Sequence, residues 1–300
     1  ETIKISLKNR LPEGVYAKDL ALWIMGMLRE ENVAYKSLEF HGEGVPALSI
    51  ADRMTLANVT AEMGLKSAAF PPDDKLADYF GDYAVQGVWA DRDAMYYKEF
   101  EVDLAQVIPL VMEVGEINEI KAPGEWGRLE IQQGLIGACA SGRLEDLRVV
   151  ARILDGKKIA SGFQLSIVPA SREIYLQAIQ EGIIDRLVKS GASILGSSCG
   201  PCLGSSHMIM ADTRRFITTV NSNSMRRLSA IGVEKYVASP ATVAMTALTG
   251  VLTVEVERTD AKYPYWEMPK VWVTVNEFER RYHNRVWNYG DLNSIACEQL

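Results

Sequence analysis

The chain has 300 residues, of which 48% are hydrophobic and 24% are charged, a composition typical of a globular protein. Its net charge of −7 argues against a nucleic-acid partner bound through a general basic surface, and no apolar run approaches the roughly 20 residues that span a bilayer. Four cysteines are too few for a disulfide scaffold, so we expect a cytoplasmic protein with reduced thiols.

The first part of the chain predicts strands that alternate with helices. Ile3, Ile5 and Leu7 alternate as in a half-buried strand, and the next apolar residues recur at helical spacing. The predicted elements are a strand at 2–8, a helix at 16–32, a strand at 36–42, a helix at 48–64 and strands at 67–70 and 97–103. Residues 73–96 give no readable pattern. The pattern also loosens from about 104 to 127, where 114–127 reads as a connector. Because a strand begins at residue 2, we expect further sequence before Glu1.

The second part repeats this alternation. The predicted elements are a strand at 131–139, a helix at 143–154, a strand at 163–169, a helical stretch at 171–191 broken at Gly182, and strands at 192–196, 215–220 and 236–239. A last helix is framed by Ser239 as N-cap, Pro240 at its first position and Gly250 just past its end. Strands alternating with helices predict an α/β architecture with mostly parallel sheets. We expect two domains, 1–115 and 116–255, followed by a linker and a new element in 256–300.

The stretch GSSCGPCLGSSH, residues 196–207, holds Cys199 and Cys202 two residues apart. A redox pair is one interpretation, although the motif lies deep in the chain and not near the start of a thioredoxin-like unit. A zinc site would have to recruit Cys139, His207 or Cys297 as further ligands. Two inert thiols in a glycine turn are a third interpretation.

A fourth interpretation joins this pair to Cys139, which also follows a predicted strand. Ligand sites gather at the carboxyl ends of the strands in open α/β sheets, so the two loops could bring the three cysteines together. Glycines around both loops leave room for an inorganic group and expose backbone N–H groups. Three cysteines on a four-iron cluster leave one iron open, as a Lewis-acid site requires.

The motifs resemble those of the aconitase and 3-isopropylmalate dehydratase large-subunit family. IGACASGRLEDLR is similar to the family's IGSCTNGR-type motif, SSCGPCLGSSH to its CGPC motif, and TTVNSNSMRR to its TTNRNFxGR motif. The resemblance covers about residues 1–253. It implies a [4Fe–4S] hydro-lyase built from α/β/α three-layer domains, of which this chain carries two.

The resemblance also implies roles for individual residues. Cys139, Cys199 and Cys202 would be the cluster ligands. Asn58 and Glu62, in NVTAE, would take part in the chemistry at the open iron, and their i, i+4 spacing puts both on one helix face. The substrate-binding residues would be Asn221, beside the cluster, and Arg227, which would bind a substrate carboxylate. Without the resemblance, Glu62 reads as a solvated helix carboxylate.

This chain departs from the family pattern at several positions. Ser222 stands where the family usually has an arginine that contributes to carboxylate binding, and Arg226 could supply the missing cation. Ala140 and Ser141 replace a threonine and an asparagine. RVWNYGDLNSI, residues 285–295, weakly resembles the opening of the family's swivel domain, whose remainder would be a fused domain or a separate small subunit.

The implied function is dehydration and rehydration of a small hydroxylated di- or tricarboxylate. The expected substrate is 3-isopropylmalate, in leucine biosynthesis. We expect this chain alone to be inactive, because the family's N-terminal and swivel domains supply further catalytic residues. The alternatives are a non-catalytic iron–sulfur or zinc-binding regulatory module on the same scaffold, and a paralogue that acts on a homocitrate-like or citrate-like substrate.

Overall fold

The computed structural model of the chain describes residues 1–29, 31–81, 87–115, 119–203, 213–221 and 232–254. All of these lie in one compact unit. The helices among them are α1 (Ala17–Met27), α2 (Ile50–Thr60), α3 (Asp74–Phe80), α4 (Ala138–Ser141), α5 (Leu144–Leu154), α6 (Arg172–Gln180), α7 (Ile183–Ser190), α8 (Gly200–Leu203) and α9 (Pro240–Thr249). The strands are β1 (Thr2–Lys8), β2 (Ser37–His41), β3 (Ser67–Ala69), β4 (Lys98–Asp103), β5 (Val111–Glu113), β6 (Glu119–Lys121), β7 (Gln133–Gly137), β8 (Gln164–Val168), β9 (Ser193–Ile194), β10 (Arg215–Thr218) and β11 (Glu234–Ala238).

The first sheet has the strand order β3-β2-β1-β4, and all its pairs are parallel. Ile3, Ile5 and Leu7 of β1 are fully buried on one face, where they belong to the same hydrophobic cluster as residues of α1 and α2. Each such burial stabilises the fold by about 1.5–3 kcal/mol. The alternating residues point to the opposite face, where Lys4 forms an ion pair with Glu99. One face of this sheet therefore contributes to the core.

The second sheet has the strand order β6-β5-β11-β10-β7-β8-β9. The five strands from β11 to β9 are parallel, whereas β5 and β6 add an antiparallel edge. One hydrophobic cluster joins this sheet to α5 and α9 through residues such as Val150 and Ala247. Met112, Leu135 and Phe216 instead belong to the cluster that contains the core of the first sheet. The two sheets thus share a continuous core, with α1 and α2 in it.

The predicted α/β class with mostly parallel sheets is confirmed. The break at Gly182 is also confirmed, since this residue has φ +67° and separates α6 from α7. Ser239 caps α9 as predicted, and Gly250 ends it with φ +72°. None of the helices in the described part of the chain has the length and apolar character that a membrane crossing requires. No observation tests the expected domain limits at 115 and 255, which stay predictions.

One expectation about local structure was wrong, and a second was confirmed only in part. The segment 114–127, expected to be a connector, contributes β6 to the second sheet, and β5 lies just before it. The helix expected to run from 48 to 64 is α-helical only as far as Thr60, and a 3-10 turn, Ala61–Met63, completes it before Gly64. Glu62 therefore lies in this turn and not in the regular helix that carries Asn58.

Candidate metal centre

The three cysteines follow two strands of the parallel part of the second sheet. Cys139 comes directly after β7, and Cys199 and Cys202 come after β9, with β8 between these two strands. Asn221 follows β10, the neighbour of β7 on its other side. Because the strands run parallel, all four residues leave the sheet at the same carboxyl edge, where open α/β sheets place their ligand sites.

Small residues make the turn that presents Cys139. Gly137 has φ +119°, and a Cβ atom there would lie 2.0 Å from the carbonyl oxygen of Val168. Ala138 has φ +55°, an uncommon conformation for a residue with a side chain. A Cβ atom at Gly142 would also meet the Val168 oxygen, at 2.5 Å. These tight contacts force a sharp passage from strand to helix, and the thiol of Cys139 is left exposed.

Hydrogen bonds hold this turn from both sides. The hydroxyl of Thr219 accepts a hydrogen bond from the backbone N–H of Gly137 at 2.9 Å. The guanidinium of Arg143 donates to the carbonyl oxygen of Cys139 at 3.1 Å and to the hydroxyl of Thr55, on α2, at 3.1 Å. The turn is thereby attached to the helix that carries Asn58.

The other two cysteines differ in exposure. Cys199 is exposed, whereas Cys202 is buried in the short helix α8. Burial raises the pKa of the Cys202 thiol to about 12, and negative charge on Cys139 and Cys199 acts in the same direction. All three cysteines are free thiols. The charges of Cys139 and Cys199 therefore lie near enough to Cys202 to affect its ionisation.

Two asparagines connect Cys139 with the rest of the site. The amide Nδ2 of Asn58 lies 3.9 Å from the sulfur of Cys139 and donates to it. The amide Nδ2 of Asn221 donates to Oδ1 of Asn58 at 2.6 Å. Residues from α2, from the turn after β7 and from the segment after β10 thus meet at one place.

A buried lysine completes this chain of contacts. Lys18, in the first turn of α1, is only 2% exposed, and its Nζ donates to Oδ1 of Asn221 at 3.1 Å. Burial lowers the pKa of Lys18 to about 8, whereas the negative charge of Glu62 raises it. Glu62 is half-buried, and its carboxylate is close enough to influence the ammonium of Lys18.

The sequence interpretation missed Lys18 and Arg143. No local sequence signal marks Lys18, because a lysine in the first turn of an amphipathic helix is normally solvated, and only the structure shows that it is buried. Arg143 belongs to the quoted IGACASGR motif, but only the structure connects it with Thr55. Arg227, Ser222 and Arg226 lie outside the described residues, as do His207 and Cys297.

The donors fit an iron–sulfur group in their chemistry. Free thiols become the soft thiolate ligands that bind iron–sulfur clusters, and the amide of Asn58 supplies an N–H to one of the sulfurs. Within the described residues, no three His, Cys, Asp or Glu side chains are gathered as they would be around a bound ion. The ligand assignment of Cys139, Cys199 and Cys202 therefore rests on their chemistry and on their common sheet edge.

A separate cavity of about 680 Å³ lies near the ends of β1 and β2. Its lining residues are Asn9, Arg10, Glu43, Pro46, Ala47 and Lys75. None of these is among the residues predicted for the metal centre.

The fold and the site define an α/β protein whose candidate metal centre lies at the carboxyl edge of a parallel sheet. The sequence profile of the aconitase family (aconitate hydratase) matches residues 1–114 and 113–250. The chain belongs to this family, and the resemblance predicted from its motifs is confirmed.

Its relatives include large subunits of two named enzymes. The chain is 41% identical to the 3-isopropylmalate dehydratase large subunit of Clostridium beijerinckii, with 84% of this chain and 61% of that protein covered. It is 38% identical to the 3-isopropylmalate dehydratase large subunit 2 of Archaeoglobus fulgidus, with 83% and 61% covered. It is 39% identical to a probable methanogen homoaconitase large subunit of Methanosarcina mazei, with 84% and 65% covered. The chain thus spans less than two thirds of the length of these relatives.

Among solved structures, the holo form of aconitase X from Thermococcus kodakaraensis matches with a TM-score of 0.43 and 16% sequence identity. The match covers 77% of this chain and 51% of that chain.

Proposed function

We propose that the chain is the cluster-binding core of a hydro-lyase that dehydrates and rehydrates a small hydroxylated dicarboxylate, with 3-isopropylmalate as its substrate. The observation that carries the proposal is the contact of Asn58 with both Cys139 and Asn221. The resemblance assigns these three residues to one site, although they are widely separated in the sequence. The names of the relatives support the same reaction class.

A [4Fe–4S] cluster bound through Cys139, Cys199 and Cys202 would supply a Lewis-acid position for the substrate's hydroxyl and carboxylate oxygens. The residues of this chain would do the rest. Asn58 and Asn221 would orient the reacting groups through their amides. Glu62 would donate a proton to the departing hydroxyl during dehydration and take one back from the water that adds during rehydration.

Substrate binding would require a cation at the site, because the substrate is an anion and the net charge of this chain is −7. Lys18 is buried and bonded to Asn221, so it does not serve as the substrate's cation. Arg227 would take that role through a bidentate contact with a carboxylate.

The complete enzyme would need a partner for activity. The relatives that the chain resembles are named large subunits, and the chain covers 61% to 65% of their lengths. We propose a swivel domain, fused or as a separate small subunit, which would supply the remaining catalytic residues. Free thiols suit a reducing cytoplasm, which is the proposed location.

Homocitrate is the second candidate substrate. The similarity to a protein named as a probable homoaconitase large subunit, at 39% identity, is close to that of the isopropylmalate dehydratases. Both substrates are hydroxylated carboxylates and would use the same metal centre.

Quantification of iron and sulfide after anaerobic reconstitution tests the proposal, together with EPR. We expect about four irons and four sulfides per wild-type chain, as in a [4Fe–4S] cluster. Cys139→Ser, Cys199→Ser and Cys202→Ser should each reduce the iron content several-fold. Cys297→Ser is the matched control and should keep it. A wild-type chain that binds zinc and no iron would contradict the hydro-lyase and favour a zinc-binding module.

A further inference from the structure

The ammonium of Lys18 begins a chain of hydrogen bonds that ends at the sulfur of Cys139. Lys18 is almost fully buried, and its Nζ donates to Oδ1 of Asn221 at 3.1 Å. An ammonium group has donors and no acceptor. The atom of Asn221 that faces it must therefore be the carbonyl oxygen, not the amide nitrogen.

The orientation of the Asn221 amide in turn fixes the orientation of the Asn58 amide. With its oxygen turned towards Lys18, Asn221 presents its amide nitrogen to Oδ1 of Asn58 at 2.6 Å. With its own oxygen occupied in this way, Asn58 presents its amide nitrogen to the sulfur of Cys139 at 3.9 Å. If either amide were turned over, two donors or two acceptors would face each other. Only one direction satisfies all three contacts.

We propose that Lys18 is a positioning residue that fixes this direction, so that an N–H donor and not a carbonyl oxygen meets the sulfur of Cys139. A lysine without this task would be a costly residue in the core, since a buried charge requires a partner. Asn221 supplies a hydrogen-bond acceptor for it, and Glu62, Asp146 and Cys139 are the nearby negative charges. The structure thus explains both the burial of Lys18 and the orientation of the two amides.

The charges around Lys18 are consistent with a protonated side chain. Burial lowers its pKa to about 8, which still leaves the ammonium as the main form at pH 7. Negative charges on Glu62, Asp146 and Cys139 favour the ammonium, whereas Arg143 opposes it. The donor direction is accordingly maintained at neutral pH.

The orientation of the two amides determines which group faces the sulfur of Cys139. An N–H group stabilises negative charge on a sulfur, whereas a carbonyl oxygen in the same place would repel it. The donor chain itself does not depend on a bound cluster. Its effect on a cluster rests on the proposed function. If Cys139 is a cluster ligand, an N–H donor to its sulfur is expected to raise the reduction potential of the cluster.

The first test uses the cluster-free protein and the side-chain amide of Asn58, followed by ¹⁵N NMR and hydrogen exchange. In Lys18→Met this amide should exchange at least tenfold faster than in the wild type, because its direction is no longer enforced. Lys36→Met is the matched control: Lys36 is also buried, but its Nζ contacts Glu1 at 3.0 Å. The control should leave the exchange within twofold.

The same experiment separates positioning from a loss of local structure. If the backbone amides of α1 and α2 accelerate as much as the side chain of Asn58, Lys18 has a merely structural role and the proposal is overturned. Unchanged exchange of Asn58 in Lys18→Met overturns it as well. Asn221→Asp is a second variant that keeps a partner for Lys18 but can no longer donate to Asn58. It should release the amide of Asn58 from Cys139 in a protein that stays folded.

The second test measures the reduction potential of the reconstituted cluster by an EPR-monitored titration. Lys18→Met and Asn221→Asp should both lower the potential, and Lys36→Met should not change it. If the wild type assembles no cluster, the proposed function fails, while the exchange experiment still decides the donor direction. A cluster whose potential is the same in all four proteins would refute the effect on the cluster.

Discussion

Arg143 joins the cysteine turn after β7 to helix α2 through Thr55. Its guanidinium donates to the hydroxyl of Thr55 at 3.1 Å and to the carbonyl oxygen of Cys139 at 3.1 Å. Thr55 lies one turn before Asn58 on the same helix. The planar guanidinium therefore sets the distance between the helix that carries Asn58 and the turn that carries Cys139.

Substitution of Arg143 by lysine should destabilise this arrangement. A single ammonium cannot reach both acceptors with the geometry of the guanidinium, so we expect Arg143→Lys to lower the free energy of unfolding by about 1–3 kcal/mol. Urea unfolding of the cluster-free protein measures it. The control is Arg148→Lys, at an exposed ion pair with Glu181, where the change should stay below about 1 kcal/mol. Equal losses in the two variants would show that Arg143 does not join the elements.

The glycine before the cysteine turn offers a second prediction. In Gly137→Ala the new methyl group would lie 2.0 Å from the Val168 oxygen, so the turn would have to shift. We expect the free energy of unfolding, measured by thermal unfolding, to fall by several kcal/mol, or the variant not to fold at all. Gly64→Ala is the control, because Gly64 also has a positive φ, +77°, but open space around it. This substitution should lower the free energy of unfolding by only about 1 kcal/mol, because of backbone strain. A similar cost at the two positions would mean that the close approach to Val168 is unimportant.

Much of the fold and part of the site were predictable from the sequence. The alternation of strands and helices in long, strongly patterned segments gave the parallel sheets. The position of Cys139 after one strand and of Cys199 after another predicted that both leave the sheet at its carboxyl edge. These are local signals, which depend on residues close together in the sequence.

Other features could not be read from the sequence, because they depend on contacts between distant segments. The strands β5 and β6 have only three residues each, too few for an alternating pattern to be visible. The contact of Lys18 with Asn221 joins residues that are 203 positions apart. A lysine near the start of a helix reads as a surface charge until the structure shows what covers it.

Substrate choice gives a third prediction, which rests on the proposed function. Ser222 stands where the family usually has an arginine, and a charge-assisted contact of this kind contributes about 1.5–3 kcal/mol, or one to two decades of affinity. In the complete enzyme with its partner, we expect Ser222→Arg to raise kcat/KM for 3-isopropylmalate at least tenfold. The companion variant is Arg226→Gly. If Ser222→Arg has no effect while Arg226→Gly abolishes activity, Arg226 already supplies the cation.

The last prediction concerns the carboxylate next to Lys18. Asp19 is fully buried and accepts hydrogen bonds from the backbone N–H groups of Tyr16 and Leu110. Burial raises its pKa to about 7 despite these hydrogen bonds. Between about pH 4 and pH 7 the folded state therefore holds a proton that the unfolded state has released. The stability that Asp19 contributes is present at low pH and falls as the pH rises through this window.

Comparison with Asp19→Asn isolates this effect, because the amide does not titrate. We expect the free energy of unfolding of the wild type, relative to the variant, to fall by about 4 kcal/mol between pH 4 and pH 7.5, at about 1.4 kcal/mol per pH unit. Urea unfolding across this range measures it, and the range ends below the pKa of Lys18, about 8. Asp185→Asn, at an exposed carboxylate of α7, is the control. The stability of the wild type relative to this variant should change by less than about 1 kcal/mol over the same pH range. A relative stability that is constant or rises with pH would contradict a protonated Asp19 in the folded core.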